Sequence, residues 1–358
     1  MSLAIRMREI GWQVDLVELD PQWRVYGAGI SITGPTFRAF KRLGLLDELI
    51  ARGFPSDHAV RICNPVGQVV AEVPTAALEA GLPAQGGIMR PVLHSILSAR
   101  TRAVGVRVRL GVTLSAWHES TDRVTTTTSD GEARSYDLVV AADGAYSATR
   151  TQLFPAAPAP RYTGQYCWRL VAERVPEIDR CHFYMAGPIT AGLMPTSATQ
   201  MYMFLLQPEP VKLRIDEASQ WQRLQGLMAP FGGPLAKLRD ALSAQSIINC
   251  RPLEAILLPR PWHRGRVALL GDATHATTPH LASGAGIAVE DALVLSEILA
   301  TERDIERALT RFEERRWERC RMVVENSGEI GQLELQHGSP EKLKALMAES
   351  ARLLRAEP

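Results

Sequence analysis

The stretch Arg266-Val-Ala-Leu-Leu-Gly271-Asp272-Ala-Thr-His275-Ala-Thr-Thr-Pro279-His-Leu-Ala-Ser-Gly284-Ala-Gly286-Ile-Ala-Val-Glu290-Asp291-Ala-Leu decides how this chain is read. Val267 to Leu270 is a short apolar run, the pattern of a strand buried on both faces. Gly271 and Asp272 break it. Beyond Pro279, Gly284 and Gly286 lead into a helix on which Ala288, Ala292, Leu295 and Leu299 recur at helical spacing. Glu290 and Asp291 are expected in its first turn, where the helix dipole favours carboxylates. A carboxylate at a strand end, followed by glycines at a helix start, lets backbone approach a flat ligand and aims N–H groups at its negative edge. An ordinary strand–loop–helix connection has the same outline, and spacing alone does not separate the two.

Working outward, composition bounds the rest. A chain of 358 residues can bury a large core, expected here in two lobes. Lys+Arg number 40 and Asp+Glu 39, a formal charge of +1. No global field therefore draws in nucleic acid or an acidic membrane, and neither is expected as a partner. Cys63, Cys167, Cys181, Cys250 and Cys320 are scattered without metal-ligand spacing, so no metal is expected. Their odd number, with no signal-peptide pattern, points to reduced thiols and a cytoplasmic location. No apolar run approaches the roughly 18 residues of a membrane span. The expected assembly is a monomer or homodimer.

Ser2 to Ile10 reads as a helix closed by Gly11, and Gln13 to Leu19 as a strand ending in Glu18 and Asp20. A helix, a glycine and a strand tipped with an acid form the second half of a dinucleotide-binding βαβ unit, whose acid hydrogen-bonds a ribose hydroxyl. Glu18 is the candidate. The first half, a strand and a G-x-G-x-x-G turn, is expected immediately before Met1, so the expectation is a start written too late. A degenerate or truncated relative that binds no dinucleotide is the alternative.

Residues 23–35 are too Gly-rich for a strand interior and are expected as a loop. Arg24 either reaches phosphate or ribityl oxygens, with Gly27, Ala28 and Gly29 against a ring, or belongs to a plain connection before a helix over Thr36–Ile50. A loop is expected up to Gly86-Gly87, and a helix starts at Pro91. Arg90 at its start opposes the dipole, which an anionic ligand would explain; a solvated arginine is the other reading. Asp137-Leu-Val-Val-Ala-Ala142 is another buried strand, leading into Asp143-Gly144-Ala-Tyr-Ser147-Ala-Thr-Arg150 and a short helix. It repeats the device of the first stretch, and the two turns are expected to line one crevice at the carboxyl edge of a sheet.

After Pro155 the strands become rich in Tyr, Trp, Phe and Met. Tyr166, Arg169, Tyr184 and Tyr202 are candidates to face a substrate, although such a stripe is ordinarily core. Residues 304–325 and 340–356 read as charged amphipathic helices. The expected fold class is α/β: a Rossmann-like cofactor-binding unit (residues 1–57, 88–158 and 256–300), an inserted antiparallel-sheet substrate unit (58–87 and 159–255) and C-terminal helices (301–358).

The Asp143-Gly144 segment and the Gly271-Asp272 segment, with the trailing Gly284-Ala-Gly286, together resemble the signatures of the single-component flavoprotein monooxygenases typified by p-hydroxybenzoate hydroxylase. The resemblance covers nearly the whole chain and departs from the family in lacking the N-terminal strand and G-x-G-x-x-G. It implies FAD as cofactor, NAD(P)H as transient co-substrate, and O2-dependent hydroxylation of an aromatic or conjugated small molecule through a flavin hydroperoxide. It further implies that Glu18 binds the ribose and that Arg24 and Arg90 lie near the flavin and its phosphates. Asp143 and Gly144 would belong to a motif shared by FAD and NAD(P)H. Gly271 and Asp272 would hold the ribityl and pyrophosphate region. Pro279, Gly284, Ala285, Gly286 and Ile287 would surround the isoalloxazine. His275 would belong to the Gly-Asp turn as a structural residue, with a general base as the other reading. A flavin-dependent reductase or halogenase of the same fold, or a flavin-free binding protein, are the other readings.

Overall fold

The computed structural model describes residues 1–358 except Tyr26. Two parallel strand pairs support the first unit. Asp15–Glu18 runs beside Arg107–Leu110, with Glu18 opposite Leu110. Val139–Ala141 runs beside Val267–Leu269, and the Leu270 N–H extends that ladder onto the Ala141 carbonyl at 3.0 Å. Val267, Ala268 and Leu269 are all buried, as a strand covered on both faces requires. The helix Gly284–Thr301 supplies part of that cover. Its Val294, Leu295, Ile298 and Leu299 share one core with Val267–Leu270, Trp262 and Phe312. The helix Ser2–Glu9 packs on the same element and buries Ile5 and Met7.

The second unit is a seven-stranded sheet. Its order is Ile248–Ala255, Arg161–Glu173, Gln200–Pro208, Ile189–Pro195, His182–Ala186, Val60–Cys63 and Val69–Val73. All pairs are antiparallel except His182–Ala186 with Val60–Cys63. Because side chains alternate along a strand, the sheet sorts its aromatics onto two faces. Tyr166, Trp168, Tyr184, Leu193, Met203 and Leu205 face the helices Gln220–Leu227 and Gly233–Asp240, packing on Leu224, Met228 and Leu235. Cys167, Val171, Met194, Tyr202 and Phe204 occupy the opposite face, where Ala28 meets them.

Three expectations are corrected. Gly29–Thr33 and Gln85–Met89 are strands, paired with each other and with Phe54–Ser56. Their glycines let this small sheet press against the large one: a Cβ on Gly29 would lie 2.1 Å from Tyr202 Cδ1, and one on Gly87 2.3 Å from the Pro195 carbonyl oxygen. Composition read as flexibility is in fact close packing. The helix expected over Thr36–Ile50 is two, Gly34–Arg42 and Leu46–Arg52, parted at Gly44 with φ of +72°. The helix after Asp304 runs on to Leu335, and Pro340–Arg355 folds back on it. Among the described residues no helix is long and apolar enough to cross a membrane.

Candidate active site

The turns at Asp143 and Asp272 leave the carboxyl ends of adjacent parallel strands, so they stand side by side. Asp143 Oδ2 accepts the Thr149 N–H at 3.1 Å and starts the helix Ala148–Leu153, which Ser147 caps through the Arg150 N–H at 2.8 Å. Gly144 has φ of +83°, a conformation a side chain rarely tolerates. Arg150, buried, reaches across from this turn to the Ala273 carbonyl at 2.9 Å.

Gly271 has φ of +61°, and its N–H donates to Asp291 Oδ2 at 3.1 Å. Asp272 opens onto free surface while protein surrounds its carboxylate; burial raises its pKa, Asp291 adds to this, and His275 and Arg90 oppose it. Glu290 and Asp291 do not occupy the first turn of the following helix. They lie in its second, buried, and are taken up by Arg316 and Arg319 of the long helix. His275, Asp291 and Cys320 converge as metal ligands might, but Arg316 lies 2.8 Å from Asp291 Oδ1 and 3.7 Å from Cys320 Sγ and fills that role.

The start of the helix at Gly284 carries no side-chain cap. Its first N–H groups are therefore available to a ligand. Pro279 opens a short 3₁₀ turn ahead of it, and Gly284 and Ala285 are half-buried. Two neighbours do other work than expected. Gly286 is pressed on the helix Gly34–Arg42, where a Cβ would lie 2.3 Å from Thr36 Oγ1, and Ile287 points into the core. Both serve helix packing.

Arg90 begins the helix Arg90–Ala103, its N–H on the Ala28 carbonyl at 3.2 Å. Its stem passes under Gly27, where a Cβ would be 3.3 Å from Arg90 Cδ. Burial and the charge of Arg169 push its pKa down, while Tyr202 and Asp272 act the other way. Among the described residues no carboxylate lies within ion-pair distance of Arg90 or Arg169. Two neighbouring guanidiniums with no carboxylate paired to them fit an anionic, hydrogen-bond-accepting group between them.

Arg169 belongs to the second wall. It sits opposite Asn249 on one side and Phe204 on the other, with Arg251 opposite Cys167 one pair along. Opposed residues of an antiparallel pair share a face, so these line one surface with Val171 and Tyr202. Tyr202 Oη lies 2.9 Å from Ser31 Oγ, tying the two units together. A cavity of about 730 Å³ is lined by Gly27, Ala28, Arg169, Val171, Trp221 and Asn249. Tyr166 and Tyr184 are on the other face: Tyr166 donates to the Leu213 carbonyl at 2.5 Å, and Tyr184 lies in the core behind the sheet. As substrate candidates they are corrected by strand parity. Asn249, Arg251, Phe204, Trp221 and the buried Arg150 were not singled out from sequence; an alternation count along residues 165–171, once paired with 247–251, would have found the first two.

Glu18 stands at the end of its strand and accepts the Asp20 N–H at 2.9 Å. It acts electrostatically on His94, so it faces the helix that Arg90 begins. Arg24 makes an ion pair with Asp20 at 3.1 Å within its own loop. The donor set that remains fits FAD: Arg90, Asp272, two positive-φ turns and an uncapped helix start beside a glycine-lined wall.

Comparison with known proteins agrees with this geometry. The family model described as FAD binding domain matches residues 1–327. The FAD-dependent urate hydroxylase of Klebsiella pneumoniae is 30% identical over 334 residues, 90% of this chain and 85% of that protein. The 2-heptyl-3-hydroxy-4(1H)-quinolone synthase of Pseudomonas aeruginosa is 29% identical over 342 residues, 93% of this chain and 86% of that one. The crystal structure of Klebsiella pneumoniae HpxO complexed with FAD and uric acid superimposes with a TM-score of 0.83 at 28% identity, covering 99% of this chain and 90% of that one. The chain therefore belongs to the FAD-binding-domain family and is an FAD-dependent oxidoreductase of the aromatic-hydroxylase type.

Proposed function

We propose that the protein is a monooxygenase that uses NAD(P)H and O2 to hydroxylate an aromatic or conjugated small molecule between its two walls. The observation that carries the reading is the pair Arg90 and Arg169, one from each wall, close enough to repel and without a carboxylate partner. FAD, when bound, supplies the electron transfer and oxygen activation. Every other contribution belongs to the chain. Arg90, Asp272 and the N–H groups at Gly284 hold the cofactor's polar edge; Asp143 and Gly144 border its path; Glu18 takes the ribose. Arg169 and Asn249 orient a substrate through its oxygen or nitrogen acceptors. Val171 and Phe204, on the same sheet face as Arg169, offer apolar surface that excludes water. The cavity of about 730 Å³ suits a two- or three-ring molecule. Relatives named for urate and for a quinolone support a fused heteroaromatic substrate.

The test is direct. Purified protein supplied with FAD should acquire a bound-flavin spectrum, and NAD(P)H oxidation should accelerate when a fused heteroaromatic is added, yielding a product heavier by one oxygen. Turnover that reduces or halogenates the substrate instead would favour the other flavoenzyme readings. Protein that never takes up flavin would sink the proposal.

A further inference from the structure

The charges behind Asp272 form a chain. His275 Nε2 lies 2.7 Å from Asp291 Oδ2, the same oxygen that accepts the Gly271 N–H at 3.1 Å. Asp291 Oδ1 is held by Arg316 Nε at 2.8 Å, and Arg316 Nη2 reaches Glu290 Oε2 at 3.0 Å. Arg319 grips both oxygens of Glu290 at 2.7 Å. His275, Asp291, Arg316 and Glu290 are buried and Arg319 is half-buried, and Trp262 covers His275 with ring centroids 5.6 Å apart. Asp272, Cys320 and Arg38 also act on this chain, Arg38 through Arg319 and Glu290.

With His275 protonated, the five carry three positive charges and two negative. Burial opposes that protonation, but Cys320 and Asp291 outweigh it and raise the imidazole pKa well above its usual value. His275 Nδ1 and Arg316 Nη1 are buried without a partner. A cluster serving stability alone should balance its charges and satisfy its donors, since an unpaired buried group is costly. Among these five one positive charge is in excess, and Asp272, on the turn directly in front, interacts with it.

We propose that His275 is a positioning residue for the cofactor. Through Asp291 it fixes the Gly271–Asp272 turn, and its positive charge favours the reduced, anionic form of FAD over the oxidised form. The inference rests on Asp272 and the Gly284 helix start binding FAD, as proposed above.

His275→Asn and His275→Gln remove the charge while retaining a donor toward Asp291. FAD affinity is read by fluorescence titration of apo-protein, and the midpoint potential of bound flavin by dye equilibration. Oxidised FAD should bind a few-fold more weakly, and reduced FAD about tenfold more weakly still. That ratio lowers a two-electron potential by about 30 mV. A purely structural role would weaken both forms alike and leave the potential in place, which overturns the proposal. Asp272→Asn separates the two levels: if it binds FAD as the parent does, the site reading itself is wrong, whatever His275 does. If neither His275 variant folds, nitrogen NMR of the parent's His275 ring decides, because a neutral imidazole at pH 7 also overturns the proposal.

Discussion

Arg150 donates to the Ala273 carbonyl at 2.9 Å and to the Ala145 carbonyl at 2.8 Å, so one buried guanidinium spans the turns that follow Asp143 and Asp272. The two turns are distant in sequence and are joined by a side chain as well as by their adjacent strands.

Arg150→Met should therefore cost about 2–4 kcal/mol, because it leaves two carbonyls without a charged donor. Urea unfolding of the apo-protein measures this. Arg150→Lys should recover less than half, since a single ammonium cannot fork between two carbonyls. Wild-type stability in Arg150→Met would mean that the bridge does not join the turns.

Gly286→Ala places a methyl 2.3 Å from Thr36 Oγ1. Overpacking of this kind costs about 1–3 kcal/mol. The added substitution Thr36→Ala removes the colliding oxygen and should restore most of the loss. Thermal unfolding of the two variants side by side checks it; no rescue would place the glycine's importance elsewhere.

Arg169→Ala should raise KM about 10- to 100-fold while the protein keeps its bound-flavin spectrum, as expected for loss of a charge-assisted hydrogen bond to substrate. Tyr166→Phe and Tyr184→Phe should leave KM unchanged, because both lie behind the sheet. Steady-state kinetics on the three variants gives a pattern that a uniformly aromatic substrate wall would not produce.

His182 is buried with an unpartnered Nε2, and burial, aided by the charge of Arg61, lowers its pKa to about 4. Its folded pKa is below the ordinary value of 6.5, so the unfolded chain takes up the proton first. The neutral ring's contribution is whole above pH 6.5 and is lost as pH falls toward about 4. The loss amounts to about 3 kcal/mol at most. Chemical denaturation across that window should show the slope in the parent and a flatter line in His182→Gln.

Much of the fold was legible because its signals are local. The apolar run Val267–Leu270 and the bend at Gly271-Asp272 mark a buried strand and its exit within a few residues. The same holds for Val139–Ala141 and Asp143-Gly144. Residues 85–89 misled because a glycine-rich segment gives the same composition whether it is a free loop or a strand flattened under a neighbouring sheet. Only the approach of Met194 and Pro195, both distant in sequence, distinguishes the cases.

What the sequence determined by itself was the set of parts: alternating strands and helices, two acid-bearing turns and a glycine-led helix. Those follow from hydrophobic period and from backbone preferences that act over a few residues. Only the tertiary structure decided which parts face one another. It sent Arg169 and Val171 to the cavity, buried Tyr202 between the two sheets and put Tyr166 and Tyr184 behind the large one. It paired Arg24 with Asp20, left Arg90 facing Arg169, and placed Asp291 under the Gly271 turn. Those choices depend on strand register and on charges brought together from remote segments, and no local pattern encodes either.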